Sequence, residues 1–457
     1  MPSSNWFPCN ASPSPCSSIS RHYFIPIPAL PTPATSTNSA RNLRVKMASD
    51  SLTPPENRIV VGCGSAVVDY LAAVAAYPKP DEKIRTTSLM VQGGGNAGNA
   101  LTCVARLGLN PRLISKVADD TQGRDILDEL KADGVDTSFF VVSKEGNSPF
   151  TYIIVDNQMK TRTCINTPGY PPMKPDDLSR ASLLSALDGG RIFYSDGRLH
   201  ETALILAQEA VRRRIPILIE AERVREGLDD LLKLADYAIC SAKFPQAWTE
   251  APSVPSALVS ILLRLPNIKF VIVTLGEEGC IMLERSVGEG PQTEEIGVEI
   301  LLESLKRQQD ESVAIPTYIS SVVYFPMNLK TLFLWRIGYF PPCNGSSVIY
   351  CGRKPVTRLR GNGIGTVCGR LLLGTAEKIP PSELIDTTGA GDAFIGAVVY
   401  ALCTDMQPET MLPFAAQVAA GNCRALGART GLPLRSDPRL ASFLHQHSKV
   451  RVTSSAT

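Results

Sequence analysis

The sequence predicts an α/β protein with a mostly parallel central sheet that helices cover on both faces. Short apolar, β-branched runs alternate with segments of helical periodicity along most of the chain. The apolar runs are also uninterrupted, which is typical of strands buried on both faces of a parallel sheet. A third pattern, PFTYIIVDNQMKTRTCI, has two β-rich runs about a polar break and predicts an antiparallel hairpin attached to that sheet.

The predicted elements follow this alternation in order. RIVVGCG predicts a strand that ends in a glycine turn, and GNAGNALTCVARLG predicts a helix because its apolar residues recur at helical spacing. PRLISKVADD and TQGRDILDELKADGV predict the next strand, a loop and a helix. Six later segments predict further strands and the helices between them: RIFYSDG, ETALILAQEAVRR, IPILIEA, VREGLDDLLKLA, YAICSA and KFVIVTLG.

The composition is that of a soluble globular protein and excludes several partner classes. The chain has 457 residues, of which 44% are hydrophobic and 20% charged, and its net charge of +2 favours neither nucleic acid nor an acidic surface. No apolar run is long enough to span a bilayer. The 12 cysteines form no CxxC pair, which favours a reducing interior over secretion. His445 and His447 are compatible with a metal site, but a solvated tail over residues 441–457 is the favoured interpretation.

The first 57 residues differ from the rest of the chain. They are rich in Ser, Pro and Thr, and they carry Arg21, Arg41 and Arg44 with no acidic residue before Asp50. Such a segment cannot bury a core, so we expect a disordered extension. Its composition favours a plastid-type transit peptide; the alternative is a cytoplasmic protein whose translation starts at Met47.

A second atypical segment, residues 322–356, interrupts the predicted domain over residues 58–440. No Asp or Glu occurs between Glu311 and Glu377, and the aromatic residues of this segment follow no stable period. Loops of this length are uncommon inside a compact domain. The favoured interpretation is translated non-coding sequence, such as a retained intron, and the alternative is a docking insertion.

Two glycine-rich turns near the N-terminal end of the domain predict ligand contacts. VGCGSAVVD lacks the third glycine of a dinucleotide-binding loop, so its Asp69 is either a polyol ligand or a helix-capping residue. In VQGGGNAGNA, three consecutive glycines predict a close approach of the backbone to another group. Asn96 and Asn99 offer donors and acceptors for sugar hydroxyls, which exceeds the needs of a helix cap.

The third turn, IDTTGAGDAF, predicts an anion site at the start of an apolar helix. Gly389 and Gly391 allow the backbone to approach a phosphate, and unpaired amides with the positive end of the helix dipole lie behind it. Asp392 is then within reach of an attacking hydroxyl and is the predicted general base. The same positive field is expected to keep this carboxylate ionised. The alternative is an ordinary helix cap.

The order of these motifs identifies a family resemblance. DTTGAGD (386–392) together with GGGNAGNALTCVARLG (93–108) resembles the two signatures of the ribokinase-like, or PfkB, carbohydrate kinases over residues 58–433, apart from the acid-free insertion. YPKPDEKIR before GGGNAGNA, and SAKF after YAIC, look most like the ketohexokinase-like branch of plants. The resemblance implies a three-layer α/β/α sandwich with a small β lid, formed near residues 83–95 and 148–166, which closes over the sugar and serves for homodimer contact.

The resemblance also implies a role for each matched position. Asp392 is the implied base, and the amides of Gly389, Ala390 and Gly391 are the implied anion hole. The implied substrate ligands are Asp69, Asp81, Gly95, Asn96, Asn99 and, as a phosphate contact, Arg198. The implied ATP-binding residues are Thr274, Gly276, Gly279, Ala416, Ala419 and Cys423. Asp386 and Thr388 match a monovalent-cation site.

The predicted function is the ATP-dependent phosphorylation of a hydroxymethyl group of a small sugar, a ketose or a pentose. The resemblance implies Mg²⁺ and K⁺ beside ATP, although Ser241-Ala-Lys-Phe244 replaces the Asn-x-x-Glu motif whose Glu organises magnesium in many members. Two alternatives remain: an adenosine-like nucleoside kinase, and a catalytically silent structural or regulatory protein. Neither a nucleic-acid nor a membrane partner is expected.

Overall fold

The computed structural model describes residues 58–286, 295–311, 348–350 and 357–444. The predicted extension over residues 1–57, most of the predicted insertion and residues 445–457 lie outside the described residues. The folded unit reaches past the predicted boundary at residue 440, because Phe443 and Leu444 are buried in the main core. Among the described residues, no helix combines the length and apolar character needed to cross a bilayer.

The strands and helices of the described residues alternate along most of the chain. The strands are β1 (Ile59–Cys63), β2 (Val67–Val74), β3 (Ser88–Gly94), β4 (Asn110–Ala118), β5 (Phe140–Ser143), β6 (Phe150–Asp156), β7 (Thr161–Thr167), β8 (Gly190–Ser195), β9 (Ile217–Ala221), β10 (Tyr237–Ser241), β11 (Phe270–Thr274), β12 (Cys280–Arg285), β13 (Glu295–Gly297), β14 (Val348–Tyr350), β15 (Thr357–Gly361) and β16 (Gly365–Gly374). The helices are α1 (Asn96–Arg106), α2 (Thr121–Ala132), α3 (Arg180–Ala186), α4 (His200–Arg212), α5 (Leu228–Leu234), α6 (Phe244–Thr249), α7 (Val254–Arg264), α8 (Val298–Glu311), α9 (Ala390–Cys403) and α10 (Pro408–Asn422).

The central sheet confirms the predicted mostly parallel architecture. Its strand order is β13-β15-β16-β12-β11-β10-β9-β8-β1-β4-β5, with β14 also paired to β16. The seven strands from β11 to β5 run parallel to one another. At one side the sheet continues through the antiparallel strands β12 and β16, which the sequence patterns did not predict.

Two hydrophobic layers enclose this sheet, which makes the fold a three-layer α/β/α sandwich. Successive residues of a strand point to opposite faces. Accordingly, Leu113 of β4 packs into the core under α1, α2, α9 and α10, whereas the next residue, Ile114, packs into the core under α3, α4, α5, α7 and α8. The same division separates Ile192 and Phe193 on β8. Buried apolar side chains on both faces explain the uninterrupted apolar runs of the sequence.

A second, four-stranded sheet with the order β3-β2-β6-β7 forms the predicted small β lid. Leu71, Ile153 and Val155 lie on its inner face and form a small core of their own. The predicted lid segments near residues 83–95 and 148–166 contain β3, β6 and β7. The sequence patterns missed β2, which lies between β3 and β6 and therefore occupies the middle of the lid.

The helices α1 and α9 pack so closely that there is no room for a side chain at Gly396 of α9. A Cβ atom at Gly396 of α9 would lie 2.6 Å from the carbonyl oxygen of Ala100 and 2.7 Å from the Cβ of Cys103, both on α1. Close packing of this kind means that an added side chain must displace backbone rather than a flexible side-chain end. The glycine therefore sets the distance between the two helices.

We expect the substitution Gly396→Val to lower the free energy of unfolding by about 1–3 kcal/mol, because it overpacks this contact. Urea denaturation measures the change. Gly391→Ala on the same helix is the matched control, since no atom lies within 4 Å of a Cβ at Gly391. Equal losses of stability in the two variants would contradict the account given for Gly396.

Candidate active site

The candidate site lies where the parallel strands end and two helices begin. The carboxyl ends of β1, β8 and β9 meet the N-termini of α1 and α9 at one edge of the central sheet, which is the edge where open α/β sheets bind ligands. Asn96 opens α1, and Asp392 lies in the first turn of α9. The sheet topology thus brings together two motifs that lie almost 300 residues apart in the sequence.

The GAGD turn opens α9, and one of the three amides predicted for the anion hole, that of Ala390, donates to the carbonyl of Thr387 at 3.3 Å. Gly389 has a φ of +73° and caps α9, and a Cβ there would lie 2.6 Å from the Cβ of Ala428. The first hydrogen bond within the helix runs from the amide of Ala393 to the carbonyl of Gly389. The amides of Gly391 and Asp392 precede that bond, and Gly391 is exposed with open space around its Cα. A phosphate-sized anion therefore has room to approach these amides.

The alternative prediction, that Asp392 is only a helix cap, does not hold. Gly389 occupies the cap position, and α9 has no side-chain capping hydrogen bond. Instead, Oδ2 of Asp392 accepts a hydrogen bond of 2.8 Å from Nδ2 of Asn99 on α1. Oδ1 of Asn99 in turn accepts a bond of 2.9 Å from Nε of Arg429. Asn99 is buried, so both ends of its amide contact protein groups rather than solvent.

Three carboxyl groups at this edge have raised pKa values, and burial is the main cause in each case. The pKa of Asp392 rises to about 6, although the hydrogen bond from Asn99 and the charge of Arg162 oppose the rise. The pKa of Asp69 rises to about 7 and that of Glu220 to about 8, and the charge of Asp392 adds to both shifts. From the sequence, we expected the positive field at the helix start to keep Asp392 ionised, and we did not foresee that burial raises the pKa of this carboxylate.

Asp69 lies inside β2 and not in a loop or at a helix start. It is 4% exposed, and a Cβ at Gly94 would fall on its carboxylate, so the glycine allows β3 to pass over the aspartate. Gly95, with a φ of +85°, then turns the chain into α1. Asp81 does not belong to this cluster of hydrogen bonds: it is exposed in the loop between β2 and β3.

Asn96 connects the start of α1 to two charged residues of the neighbouring strands. Its Nδ2 donates to Oε1 of Glu220 at 2.5 Å, and its Oδ1 accepts from Arg198 at 3.2 Å. Glu220 also accepts a bond of 2.6 Å from the hydroxyl of Tyr194. Arg198 makes an ion pair with Glu222 at 2.9 Å. Arg198 therefore fixes the side chain of Asn96. The guanidinium of Arg198 faces the same edge of the sheet as Asp392.

Several residues of this edge were missed by the sequence analysis, and a signal existed for some of them. Asp196 directly follows β8 and accepts from both the amide and the hydroxyl of Ser65, at 2.8 and 2.6 Å. Glu220 interrupts the apolar run ILIEA close to its carboxyl end. An acidic residue at the end of a buried strand is a recognisable ligand-edge signal. The sequence around Arg429 offers no such signal.

Arg162 is a further residue that only the structure reveals. It lies on the lid strand β7, and its guanidinium donates to the hydroxyl of Thr387 at 3.1 Å. Thr387 belongs to the DTTGAGD stretch, so a lid cation reaches the turn that carries Asp392. The same charge opposes the rise in the pKa of Asp392. Arg162 is exposed and remains accessible to a ligand.

The predicted nucleotide residues lie on the neighbouring part of the same edge. Thr274 ends β11, and the turn after it contains Gly276 and Gly279 with φ values of +63° and +86°. A Cβ at Gly279 would collide with the carbonyl of Gly374. Ala416 and Ala419 are partly exposed on α10, one turn apart.

Cys423 and the predicted cation residues belong to a tightly bonded loop. Cys423 is buried, which raises the pKa of its thiol to about 11, and its carbonyl accepts the amides of Ile385 and Asp386. Asp386 accepts from the amide and hydroxyl of Thr388 and from the amide of Gly427. In the part of the chain that the structure describes, no group of three or more His, Cys, Asp or Glu side chains is arranged to hold a metal ion.

Comparisons with known proteins agree on one family. The family model described as "pfkB family carbohydrate kinase" matches residues 58–299 and 373–435 and leaves the stretch between them unmatched. The chain is 21% identical to mouse ribokinase over 395 residues, covering 85% of this chain and 96% of the relative. It is also 21% identical to mouse ketohexokinase over 377 residues, covering 81% and 98%. The solved structure of Arabidopsis thaliana ribokinase with ribose and ATP superimposes with a TM-score of 0.55 at 17% identity, covering 85% and 99%.

We expect Asp392→Asn to raise the free energy of unfolding by about 1–2 kcal/mol near pH 7.5, because it removes the charge of a partly buried carboxylate and keeps an acceptor for Asn99. The folded-state pKa of about 6 lies above the ordinary value of 3.8. The ionised carboxylate therefore lowers the free energy of unfolding by its full amount above about pH 6, and this destabilisation disappears as the pH falls towards 4. The measurement is thermal or urea unfolding across this range.

The control for this prediction is Asp405→Asn, just beyond the other end of α9, where the carboxylate is exposed and pairs with Arg191 at the surface. We expect no stabilisation that depends on pH from this variant. A gain for Asp392→Asn that is as large at pH 4 as at pH 7.5 would refute the attribution to its charge.

Proposed function

This chain belongs to the pfkB family of carbohydrate kinases, and we propose that it transfers the γ-phosphoryl group of ATP to a hydroxymethyl group of a small sugar, a ketose or a pentose. One observation carries the proposal: Asp392, with a raised pKa, lies in the first turn of α9 beside open backbone amides. Asn99 holds it from the opposite helix. A base and an anion site within one helical turn are what phosphoryl transfer to an alcohol requires.

In the proposed reaction, Asp392 takes the proton of the attacking hydroxyl. Because Oδ2 is engaged by Asn99, Oδ1 is the free acceptor for that proton. The hydroxyl oxygen forms a bond to the γ-phosphorus, and the bond from phosphorus to the β–γ bridging oxygen breaks, so that ADP leaves with the electron pair. The amides of Gly389 and Gly391 are proposed to stabilise the charge on the transferred group, because amides fixed at a helix start need no reorganisation, whereas the amide of Ala390 already donates to the carbonyl of Thr387 at 3.3 Å.

The substrate is proposed to lie between the lid and the edge of the central sheet. Asp69 on the lid strand and Asn96 at the start of α1 offer an acceptor and an amide to the sugar hydroxyls, and Gly95 allows a close approach of the backbone. The amides of both asparagines are bonded at each end, but Asn96 is partly exposed whereas Asn99 is 4% exposed, so Asn99 is assigned to the positioning of Asp392. We place Asp81 outside this set because it is exposed in the lid loop.

Two arginines are proposed to balance the charge that accumulates during transfer. Arg198 reaches the site from the end of β8, and Arg162 reaches the GAGD turn from the lid. The reacting phosphoryl group is negatively charged, and Asp392, with a pKa of about 6, adds to that charge when it is ionised near neutral pH. Cations on opposite sides of the site offset this repulsion, and a cation on the lid does so only when the lid lies over the substrate.

The nucleotide is proposed to bind against the turn after β11 and the partly exposed Ala416 and Ala419 of α10. The positive φ angles of Gly276 and Gly279 allow a backbone close to the ribose and phosphates, and Ala416 and Ala419 present small side chains to an adenine ring. Magnesium, when bound with ATP, neutralises phosphate charge, and few protein ligands are needed because it retains water. Ser241–Phe244 offers no carboxylate for it, and K⁺ near Asp386 and Thr388 remains a proposal.

We predict turnover of ATP with at least one member of a panel of ketoses, pentoses and nucleosides. Asp392→Asn is expected to lower kcat by about 10²–10⁴-fold, because it removes the general base. In the wild type, kcat should fall as the pH decreases through about 6, where Asp392 becomes protonated. A coupled ADP assay measures both effects.

Asp405→Asn is the control variant and is expected to keep wild-type turnover. A substrate preference for nucleosides would replace the sugar assignment and leave the phosphotransfer intact. Absence of any turnover that depends on Asp392 would overturn the kinase mechanism in favour of a structural or regulatory role.

A second copy of this chain is the proposed partner of the lid. The outer face of the lid sheet carries exposed apolar side chains on three adjacent positions, Val91 on β3, Tyr152 on β6 and Ile165 on β7, with Tyr70 of β2 between them. Tyr152 is 50% exposed although its ring contacts that of Tyr70 in a tilted arrangement, with ring centres 5.5 Å apart. An apolar sheet face of this kind is typical of a protein interface.

We expect the wild type to be a dimer at micromolar concentration and Tyr152→Asp to be a monomer, because a charge would then be buried in the contact. Light scattering coupled to size exclusion measures both masses. Val211→Asp, which changes another exposed apolar residue on α4, serves as the control and should remain dimeric. A monomeric wild type would contradict the proposed contact.

A further inference from the structure

Arg429 is a charged residue in the interior of the protein, at the junction of the lid with the central sheet. Its side chain is 1% exposed. It lies in the segment after α10 and donates to three separate parts of the chain: Oδ1 of Asn99 at 2.9 Å, the carbonyl of Gly94 at 2.9 Å and Oε1 of Glu129 at 3.3 Å. Burial of a charge is costly even when it is paired, so stability alone is a weak reason for an arginine at this position.

The first contact determines which way the Asn99 amide faces. A guanidinium group has five donors and no acceptor, so only the oxygen of the amide can face Arg429. The NH₂ group must then point to the other side, where it donates to Oδ2 of Asp392 at 2.8 Å. If the amide were reversed, its oxygen would face the carboxylate and its NH₂ group would face the guanidinium, and both contacts would be repulsive. Arg429 therefore selects the rotamer of Asn99 that holds the base.

The other two contacts fix the point where the lid joins the body of the protein. Gly94 is the last residue of β3, and α1 begins two residues later. The carboxylate of Glu129 on α2 accepts both from Arg429 and from the amide of Gly93, the latter at 2.5 Å. A Cβ at Gly93 or Gly98 would collide with the guanidinium. The side chain of Arg429 thus contacts the junction of the lid directly, and it is connected through Asn99 to the turn that carries Asp392.

We propose that Arg429 is a positioning residue for Asp392: its donor-only guanidinium orients Asn99, which holds the carboxylate, and it fixes the junction of the lid strand with α1. This proposal rests on the proposed function, in which Asp392 is the base. Arg429 does not touch the substrate region directly. It acts on the reaction through Asn99 and through Gly94, and its charge also lowers the pKa of Asp69, which burial raises.

The test compares kcat, the sugar KM and the pH dependence of kcat in the wild type, Arg429→Met, Arg429→Lys and Asn99→Ala. We expect Arg429→Met to lower kcat by about 10- to 100-fold, because the base is no longer held in its productive position. We also expect the acid limb of the pH profile to move to higher pH. The hydrogen bond from Asn99 stabilises the ionised form of Asp392, so a weaker bond leaves the pKa of Asp392 higher.

The other variants separate positioning from folding. Asn99→Ala should reproduce the shift of the acid limb, since it removes the same bond. Arg429→Lys also presents only donors, so its acid limb should lie closer to that of the wild type than the limb of Arg429→Met. Arg435→Met is the matched control: Arg435 lies on the same segment and donates to the hydroxyl of Tyr400, so its loss should lower the unfolding temperature without moving the pH profile.

Two results would overturn the proposal. One is a folded Arg429→Met variant with the acid limb of the wild type, whether or not its kcat is lower. The other, decisive also when Arg429→Met does not fold, is an Asn99→Ala variant whose acid limb does not move. Lack of turnover in the wild type would instead contradict the proposed function itself, and the two failures are therefore distinguishable.

Discussion

The close contact between α1 and α9 is the interaction on which the candidate site depends. Gly396 allows the two helices to approach so closely that a Cβ would meet the backbone of α1. Their N-termini consequently lie side by side, and each contributes its first turn to the same small volume: Asn96 and Asn99 from α1, and Asp392 from α9. The positive ends of two helix dipoles then point at one place, which suits a site that must hold phosphate beside carboxylates.

The carboxylates of the site destabilise the folded state. Asp69, Glu220 and Asp392 are each removed from water, and the charge of Asp392 raises the pKa of the other two. Arg429 and Arg198 offset part of this cost through bonds to Asn99 and Asn96, so that neutral amides separate the acids from the cations. Such an arrangement keeps a base near neutral pKa, whereas direct ion pairing would lower the pKa and weaken the base.

Periodicity and motif order were sufficient to predict the layers of the fold, the lid hairpin and the GAGD turn, because each depends on local spacing. The middle lid strand β2 was missed since VVDYLAAV follows a glycine turn and has no alternation clear enough to separate a lid strand from a buried one. Glu220 and Asp196 were recoverable from their places at strand ends. Arg429 was not, because its role arises from contacts with residues up to 335 positions away, which no local pattern encodes.

The residues of the candidate site come from distant parts of the chain, and this has a consequence for biosynthesis. The lid and Asn99 belong to the first part of the domain, whereas Asp392 and Arg429 belong to its last part, and the bonds that join Asn99 to these two residues span 293 and 330 residues. During translation, α1 is synthesised long before α9. The apolar side chains of β1 and β4 that pack against α9 and α10 therefore stay uncovered until these two helices have been made. Assembly of the site is a late, long-range event of the kind that slows folding. A chain that ended before α9 would retain the lid and lack every group proposed to act on phosphate from the GAGD turn.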